Sequence, residues 1–218
     1  MGMLIQPHGG KLKPLLVEDR QERAMLIQYV QRLHKIALTS KEASDVIMMA
    51  CGAYSPLDGF MCKADYDGVV DNMHLANGTL WPIPITLAVT NQQADALKIG
   101  QQIALLDPED GNVLAVMTVE DKFAYDKKKE AVNIFGTDDQ KHPGVAKLYA
   151  QPDIYLGGSV KVLSESYYPK IYPEYARCDQ TRELFTQQGW KTVAAFQTRN
   201  PLHRSHEYLT KIAMEVCD

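Results

Sequence analysis

His203 and His206 lie three residues apart in a polar run that opens with Gln197, Thr198, Arg199 and Asn200. The run follows a largely apolar stretch, residues 192–196, that reads as a buried strand. It leads into residues 207–216, whose apolar side chains recur at helical spacing. A strand, a tight polar turn and a helix are how an α/β fold aims a helix N-terminus at a phosphate. Two histidines three apart in a first helical turn share a face. Exposed backbone N–H groups and the positive end of the helix dipole lie beside them. Imidazole N–H donors there can hold phosphate oxygens as charge builds during phosphoryl or nucleotidyl transfer. Arg199 offers a planar fork for an oxyanion such as phosphate, sulfate or carboxylate. Thr198 and Asn200 add neutral donors, and Gln197 can orient a substrate. No nucleophile stands out, so the set suits positioning and charge neutralisation.

Plainer readings compete. A lone H-x-x-H pair often caps a helix or decorates a surface. A zinc site made of His203, His206 and Cys217 lacks a second ligand pair at metal spacing. The full string is harder to explain away, because five polar residues crowd a turn that folding alone does not require.

The elements that position this turn can be read from the rest of the chain. Its 218 residues are 45% hydrophobic and 23% charged, which suits one large globular domain or two small ones. A net charge of −4 gives no global pull toward nucleic acid. Cys51, Cys62, Cys178 and Cys217 form no C-x-x-C pair, and so give neither a zinc signature nor a disulfide framework. The N-terminus lacks a signal-peptide core, and no run approaches the ~20 apolar residues of a membrane span. A cytoplasmic protein without membrane or nucleic-acid partners is expected.

Helices are expected over 21–34 and over 40–50, the second capped by Ser40. Residues 52–61 read as a structural loop. Strands are expected over 80–89, with Pro82 and Pro84 at its start or on an edge. Further strands are expected at 102–106 and 113–119, flanking a hairpin turn at 107–111, with 122–125 prolonging the second. Another runs over 155–163, interrupted by Gly157 and Gly158. Residues 1–168 thus read as helices around a small, mostly antiparallel β-barrel. Tyr167, Tyr168 and Tyr172 read as packing at a junction. A helix over 178–188 has Asp179 as a possible cap and ends on Gly189. Lys127, Lys128 and Lys129 read as a solvated loop. Asp138, Asp139 and His142 read as turn chemistry rather than a metal cluster. No phosphate-loop fingerprint of either glycine-rich type occurs.

Three passages resemble the ATP sulfurylase (sulfate adenylyltransferase) family, in the family's order. They are Tyr54-Ser-Pro-Leu-Asp-Gly-Phe-Met61; Asn133-Ile-Phe-Gly-Thr-Asp-Asp-Gln-Lys-His-Pro-Gly-Val145, followed by Leu156-Gly-Gly158; and Gln197-Thr-Arg-Asn-Pro-Leu-His-Arg-Ser-His-Glu-Tyr-Leu209. The resemblance implies an α+β then α/β chain. A PUA-like β-barrel N-terminal domain (1–168) would be followed by the beginning of a doubly wound nucleotidyltransferase domain (169–218). It implies the reversible reaction of ATP with sulfate to give adenosine 5′-phosphosulfate and pyrophosphate, with Mg²⁺ accompanying the nucleotide and no metal held by the protein. Gln197 and Arg199 would hold sulfate, Arg199 also facing the α-phosphate. Thr198, Arg199 and Asn200 would be catalytic. Gln197, Thr198, Arg199, Asn200, His203 and His206 would bind ATP. Ser205 stands where the wider superfamily usually has Gly, and keeps that position small. The family's catalytic domain is longer than the stretch from residue 169 onward, so the chain is expected to be the N-terminal portion of a larger, homo-oligomeric enzyme. Two other readings remain: another H-x-x-H nucleotidyltransferase, and a non-catalytic PUA-like binding module.

Overall fold

One long strand organises the sheet. The computed structural model describes residues 4–166, 168–172 and 174–218, leaving out the Tyr168 side chain. The expected packing of Tyr167 and of the Tyr168 side chain lies outside the described residues.

In chain order the elements are α1 (Arg20–Tyr29), β1 (His34–Ala37), α2 (Ser40–Ala50), β2 (Gly59–Phe60), α3 (Lys63–Asn72), β3 (Leu87–Val89), α4 (Asn91–Asp95), β4 (Gln102–Leu106), β5 (Val113–Thr118), β6 (Asp121–Ala124), α5 (Lys127–Phe135), α6 (Pro143–Ala150), β7 (Ile154–Val162), α7 (Tyr168–Ile171), α8 (Cys178–Gln188) and α9 (Arg204–Val216). β7 pairs antiparallel with β3 and β6 through its first half and with β2 and β5 through its second. The sheet continues from β5 to β4 and, by one parallel ladder, to β1. A strand shared in this way bends where its partners change, and the result is a curled, mixed half-barrel.

The bend falls on the glycines expected to interrupt the strand. Gly158 has φ +149°, and a Cβ there would stand 1.9 Å from the Thr118 carbonyl oxygen. A Cβ on Gly157 would stand 2.6 Å from the Met61 carbonyl oxygen. The strand continues through both because neither carries a side chain. Leu87, Ile103, Leu105, Met117, Leu156 and Val162 fill the interior of the curl. Glu42 ties a helix to this sheet. Its carboxylate accepts from Thr39 N–H at 2.8 Å and from Ala88 N–H at 3.0 Å, completing a capping box with Thr39.

Several expectations need correction. The helix over 21–34 ends at Tyr29, passes through a 3₁₀ turn, and gives way to β1, whose backbone is claimed by the parallel ladder to β4. Thr39, not Ser40, is the N-cap of α2, because Thr39 is the extended residue (ψ 163°). Of 80–89 only Leu87–Val89 forms a strand, while Leu80 makes an isolated bridge to His74; Pro82 and Pro84 have no N–H to offer a ladder. β6 is a separate strand on β7 rather than a prolongation of β5. Lys127, Lys128 and Lys129 open α5 instead of forming a loop, and pair with Asp153, Asp138 and Asp71 respectively. Arg177 occupies the N-cap position of α8, with Asp179 in the first turn; Gly189 closes the helix at φ +73°. Residues 192–196 form no ladder, because no described strand lies beside them. His142 caps α6 through Nδ1, and Asp139 accepts from Lys141 N–H, so both do turn work.

Candidate functional site

The polar turn runs from residue 197 to the N-terminus of α9. The turn is closed by Thr198, whose hydroxyl accepts from Asn200 N–H and donates to Asn200 O, both at 3.1 Å. Pro201 follows and holds the chain extended toward His203, the N-cap of α9 (φ −108°, ψ 160°). The two histidines build the cap together. His203 N–H donates to His206 Nδ1 at 3.1 Å, and Ser205 N–H donates to His203 Nδ1 at 3.3 Å. The Ser205 hydroxyl lies 3.1 Å from the same His203 nitrogen. Helical bonding starts at once, with Glu207 N–H on His203 O.

These bonds fix chemistry as well as shape. A nitrogen that accepts a hydrogen bond carries no proton, so each neutral ring bears its hydrogen on Nε2. The cap thereby leaves both Nε2–H groups outside its own hydrogen bonds. His206 is half-buried, and the Phe196 ring meets it at 5.8 Å and 60°. Gln197, Arg199 and His203 are exposed. The segment leading into the helix N-terminus thus carries one guanidinium, a hydroxyl, two amides and two imidazoles, residue types suited to an oxyanion.

All six residues expected at the site lie on this one turn. Cys217 does not join them: it is the C-cap of α9, about 20 Å along the helix axis from His203. The zinc reading fails on that distance. Phe196 was not singled out in advance. Its position, directly before the turn and ten residues ahead of His206, was the available signal. Asp218 was also missed. Its carboxylate accepts from Lys191 N–H at 2.8 Å and Thr192 N–H at 2.9 Å, anchoring the approach to the turn. Those bonds hold its pKa below the ordinary carboxylate value.

The turn is joined to the sheet domain through α8. Arg177 donates to Glu165 at 3.1 Å and to Glu18 at 3.0 Å, and the Tyr175 hydroxyl also donates to Glu165 at 3.1 Å. Burial, followed by the Glu165 charge, pushes the Tyr175 hydroxyl above its ordinary range. Between residues 190–196 and α9 runs an open, mostly apolar groove of about 470 Å³, lined by Val193, Phe196, Leu209 and Met214 among others. The loop at 54–61 is held structurally: the Tyr54 hydroxyl donates to Asp45 at 2.9 Å, and Ser55 Oγ accepts from Lys13 N–H at 2.8 Å. Among the described residues, no helix is long and apolar enough to cross a membrane.

Comparison with known proteins adds to this geometry. A PUA-like domain family matches residues 5–165, and an ATP-sulfurylase family matches residues 175–218. The chain is 52% identical over 216 residues to the sulfate adenylyltransferase of Desulforamulus reducens, covering 99% of this chain and 55% of that protein. It is 50% identical over 223 residues to the sulfate adenylyltransferase of Pelodictyon phaeoclathratiforme, covering 54% of that protein. Among solved structures it is similar to a hexameric APS kinase from Thiobacillus denitrificans. That match has a TM-score of 0.74 and 30% identity, over 97% of this chain and 38% of that one. The chain thus spans about half the length of the curated relatives it matches.

Proposed function

This chain belongs to the PUA-like domain family through residues 5–165 and is similar to sulfate adenylyltransferases over 99% of its length, and from that premise we propose that it is the N-terminal portion of a sulfate adenylyltransferase. In this reading the PUA-like domain occupies residues 1–168, and residues 169–218 begin a doubly wound nucleotidyltransferase domain. The remaining half of the relatives' length would pair with residues 192–196 and cover the apolar groove. The protein would act in the cytoplasm, as a homo-oligomer.

The reaction joins ATP and sulfate into adenosine 5′-phosphosulfate and releases pyrophosphate. A sulfate oxygen attacks the α-phosphorus in line, the P–O bond to the β-phosphate breaks, and pyrophosphate leaves with that electron pair. Gln197 and Arg199 hold the sulfate. Arg199 also faces the α-phosphate, so one guanidinium neutralises both nucleophile and electrophile. That offsets the repulsion between two anions, which is the main obstacle to the attack. Thr198 and Asn200 steady the transition state and the phosphate chain. His203 and His206 donate from Nε2 to phosphate oxygens as charge moves toward the leaving group. The single observation that supports this reading is the reciprocal cap of His203 and His206, because it occupies both Nδ1 atoms and leaves both Nε2–H groups outside the cap's bonds.

Mg²⁺ prefers oxygen ligands. The turn offers mainly N–H donors, and the next carboxylate in the chain, Glu207, pairs with Lys211 at 2.7 Å. These residues do not fit a resident metal, so the ion would arrive on the nucleotide. The test is exchange of labelled pyrophosphate into ATP by the complete gene product. Exchange that requires sulfate supports the proposal; exchange with another oxyanion in its place would favour a different H-x-x-H nucleotidyltransferase.

A further inference from the structure

Two cysteines far apart in sequence meet where the two matched regions join. Cys51 is the C-cap of α2, inside the region matched to the PUA-like domain, and Cys178 is the first residue of α8, inside the region matched to ATP sulfurylase. Cys178 N–H donates to Cys51 O at 3.3 Å. A backbone hydrogen bond between two residues brings their Cα atoms to roughly the 4.4–6.8 Å that a disulfide spans. The Cys51 thiol is near enough to raise the Cys178 thiol, and it donates to Met48 O at 3.4 Å. Cys51 is buried and Cys178 half-buried, so a reagent from solvent meets Cys178 first.

We infer that Cys51 and Cys178 form a reversible dithiol–disulfide site that takes a low-molecular-weight disulfide as its oxidant and, when oxidised, ties α8 covalently to α2. Cys178 loses its proton and attacks one sulfur of the oxidant. One thiol leaves, and a mixed disulfide remains on Cys178. Cys51 then loses its proton and attacks the Cys178 sulfur, and the second thiol leaves. The protein gives up two protons and two electrons in forming one S–S bond, and the oxidant becomes two thiols.

The surroundings set the speed of this chemistry. Burial, then Cys51 and Asp179, push the Cys178 thiol up to about 11, against the opposing pull of Arg182. The thiolate is therefore scarce near neutrality, and the pair is slow to oxidise. The Cys51 thiol also raises the Tyr175 hydroxyl, after burial and Glu165. The bridge would reinforce a junction that Arg177, Glu18 and Glu165 also hold. It would not touch the turn at 197–206, so this inference stands apart from the proposed activity.

The test is to incubate the purified protein with oxidised glutathione, block free thiols with N-ethylmaleimide, digest, and map disulfides by mass spectrometry. The expected result is a cross-linked peptide joining Cys51 to Cys178, lighter than the two thiol peptides by two hydrogens. Dithiothreitol should reverse it, and Cys178→Ser should lose it while keeping the wild-type far-ultraviolet circular dichroism. Alkylation of both thiols, glutathione retained on Cys178 without a bridge, or a bridge to Cys62 or Cys217 would each overturn it. Wild-type mapping decides the matter even if a variant folds poorly.

Discussion

The backbone N–H of His203 donates to Nδ1 of His206 across 3.1 Å, so the residue that caps α9 and the residue that closes the cap are the same two proposed to hold the phosphates. The plain and the functional readings of the H-x-x-H pair are therefore not rivals. Capping sets the tautomer, and the tautomer sets which atom is left to donate.

Capping and donation can be separated at His203. Asparagine is among the best N-cap residues, but it has no Nε2–H to offer. His203→Asn should keep stability to within a few tenths of a kcal/mol while catalysis falls about 100-fold, as removal of one oxyanion donor does. Chemical denaturation and steady-state assay of the same preparation check both halves. An unchanged rate would leave His203 as a cap alone.

His206→Ala removes a donor and half of the cap together. Activity should fall by about 2.7–4 kcal/mol of transition-state stabilisation, with an added cost of about 1 kcal/mol in stability from the broken cap. Comparing kcat/KM with the denaturation midpoint separates the two. A stability loss with full activity would show that Phe196 and the cap are all that His206 serves.

Glu130 supplies a pH dependence that has nothing to do with the site. It is buried in the sheet domain and accepts from Tyr66 at 2.8 Å and from Tyr155 at 3.2 Å. Burial raises its pKa from 4.5, against the lowering effect of the two tyrosine hydroxyls. A carboxyl raised in the folded state favours the neutral form there. Its stabilising contribution is complete below about 4.5 and is lost as pH rises through the folded value. Glu130→Gln keeps an acceptor for the tyrosines and removes the ionisation. The stability of Glu130→Gln relative to wild type should therefore climb with pH. Thermal melts of both proteins from acid to neutral pH test this, and a constant difference would contradict it.

Gly158→Ala should be among the most damaging single changes in the sheet. Its φ of +149° lies where side chains are strained, and the new Cβ would press on the Thr118 carbonyl. A loss of about 1–3 kcal/mol is expected from the backbone conformation alone, and the contact with Thr118 adds to it. Urea unfolding measures it, and a loss below about 1 kcal/mol would mean that β7 can shift away from Thr118.

Much of the fold was legible because it is written locally. The hairpin around 107–111, the helix ended by Gly189 and the helix over 40–50 each carry their own signals: turn residues, a left-handed glycine, a cap and an apolar stripe. What was missed depends on partners distant in sequence. β1 exists because β4 offers it a parallel edge, and four residues show no period of their own. Thr39 and Ser40 are equally good caps by type, and only the chain's turn into the helix chooses between them. Residues 192–196 carry a strand's composition, but a strand needs a neighbour, and none is found among the described residues. At the site, the six expected residues are close together in the chain, so sequence alone puts them on one turn. Phe196 packing on His206, and Cys51 meeting Cys178, are products of folding with no local mark.

The most direct test of the central claim is sulfate-dependent exchange of labelled pyrophosphate into ATP by the complete gene product, wild type against Arg199→Ala. If Arg199 holds sulfate beside the α-phosphate, wild-type exchange requires sulfate and the variant loses it by about 100-fold or more, with its circular dichroism unchanged. Exchange that proceeds without sulfate, or that survives in Arg199→Ala, would contradict the account.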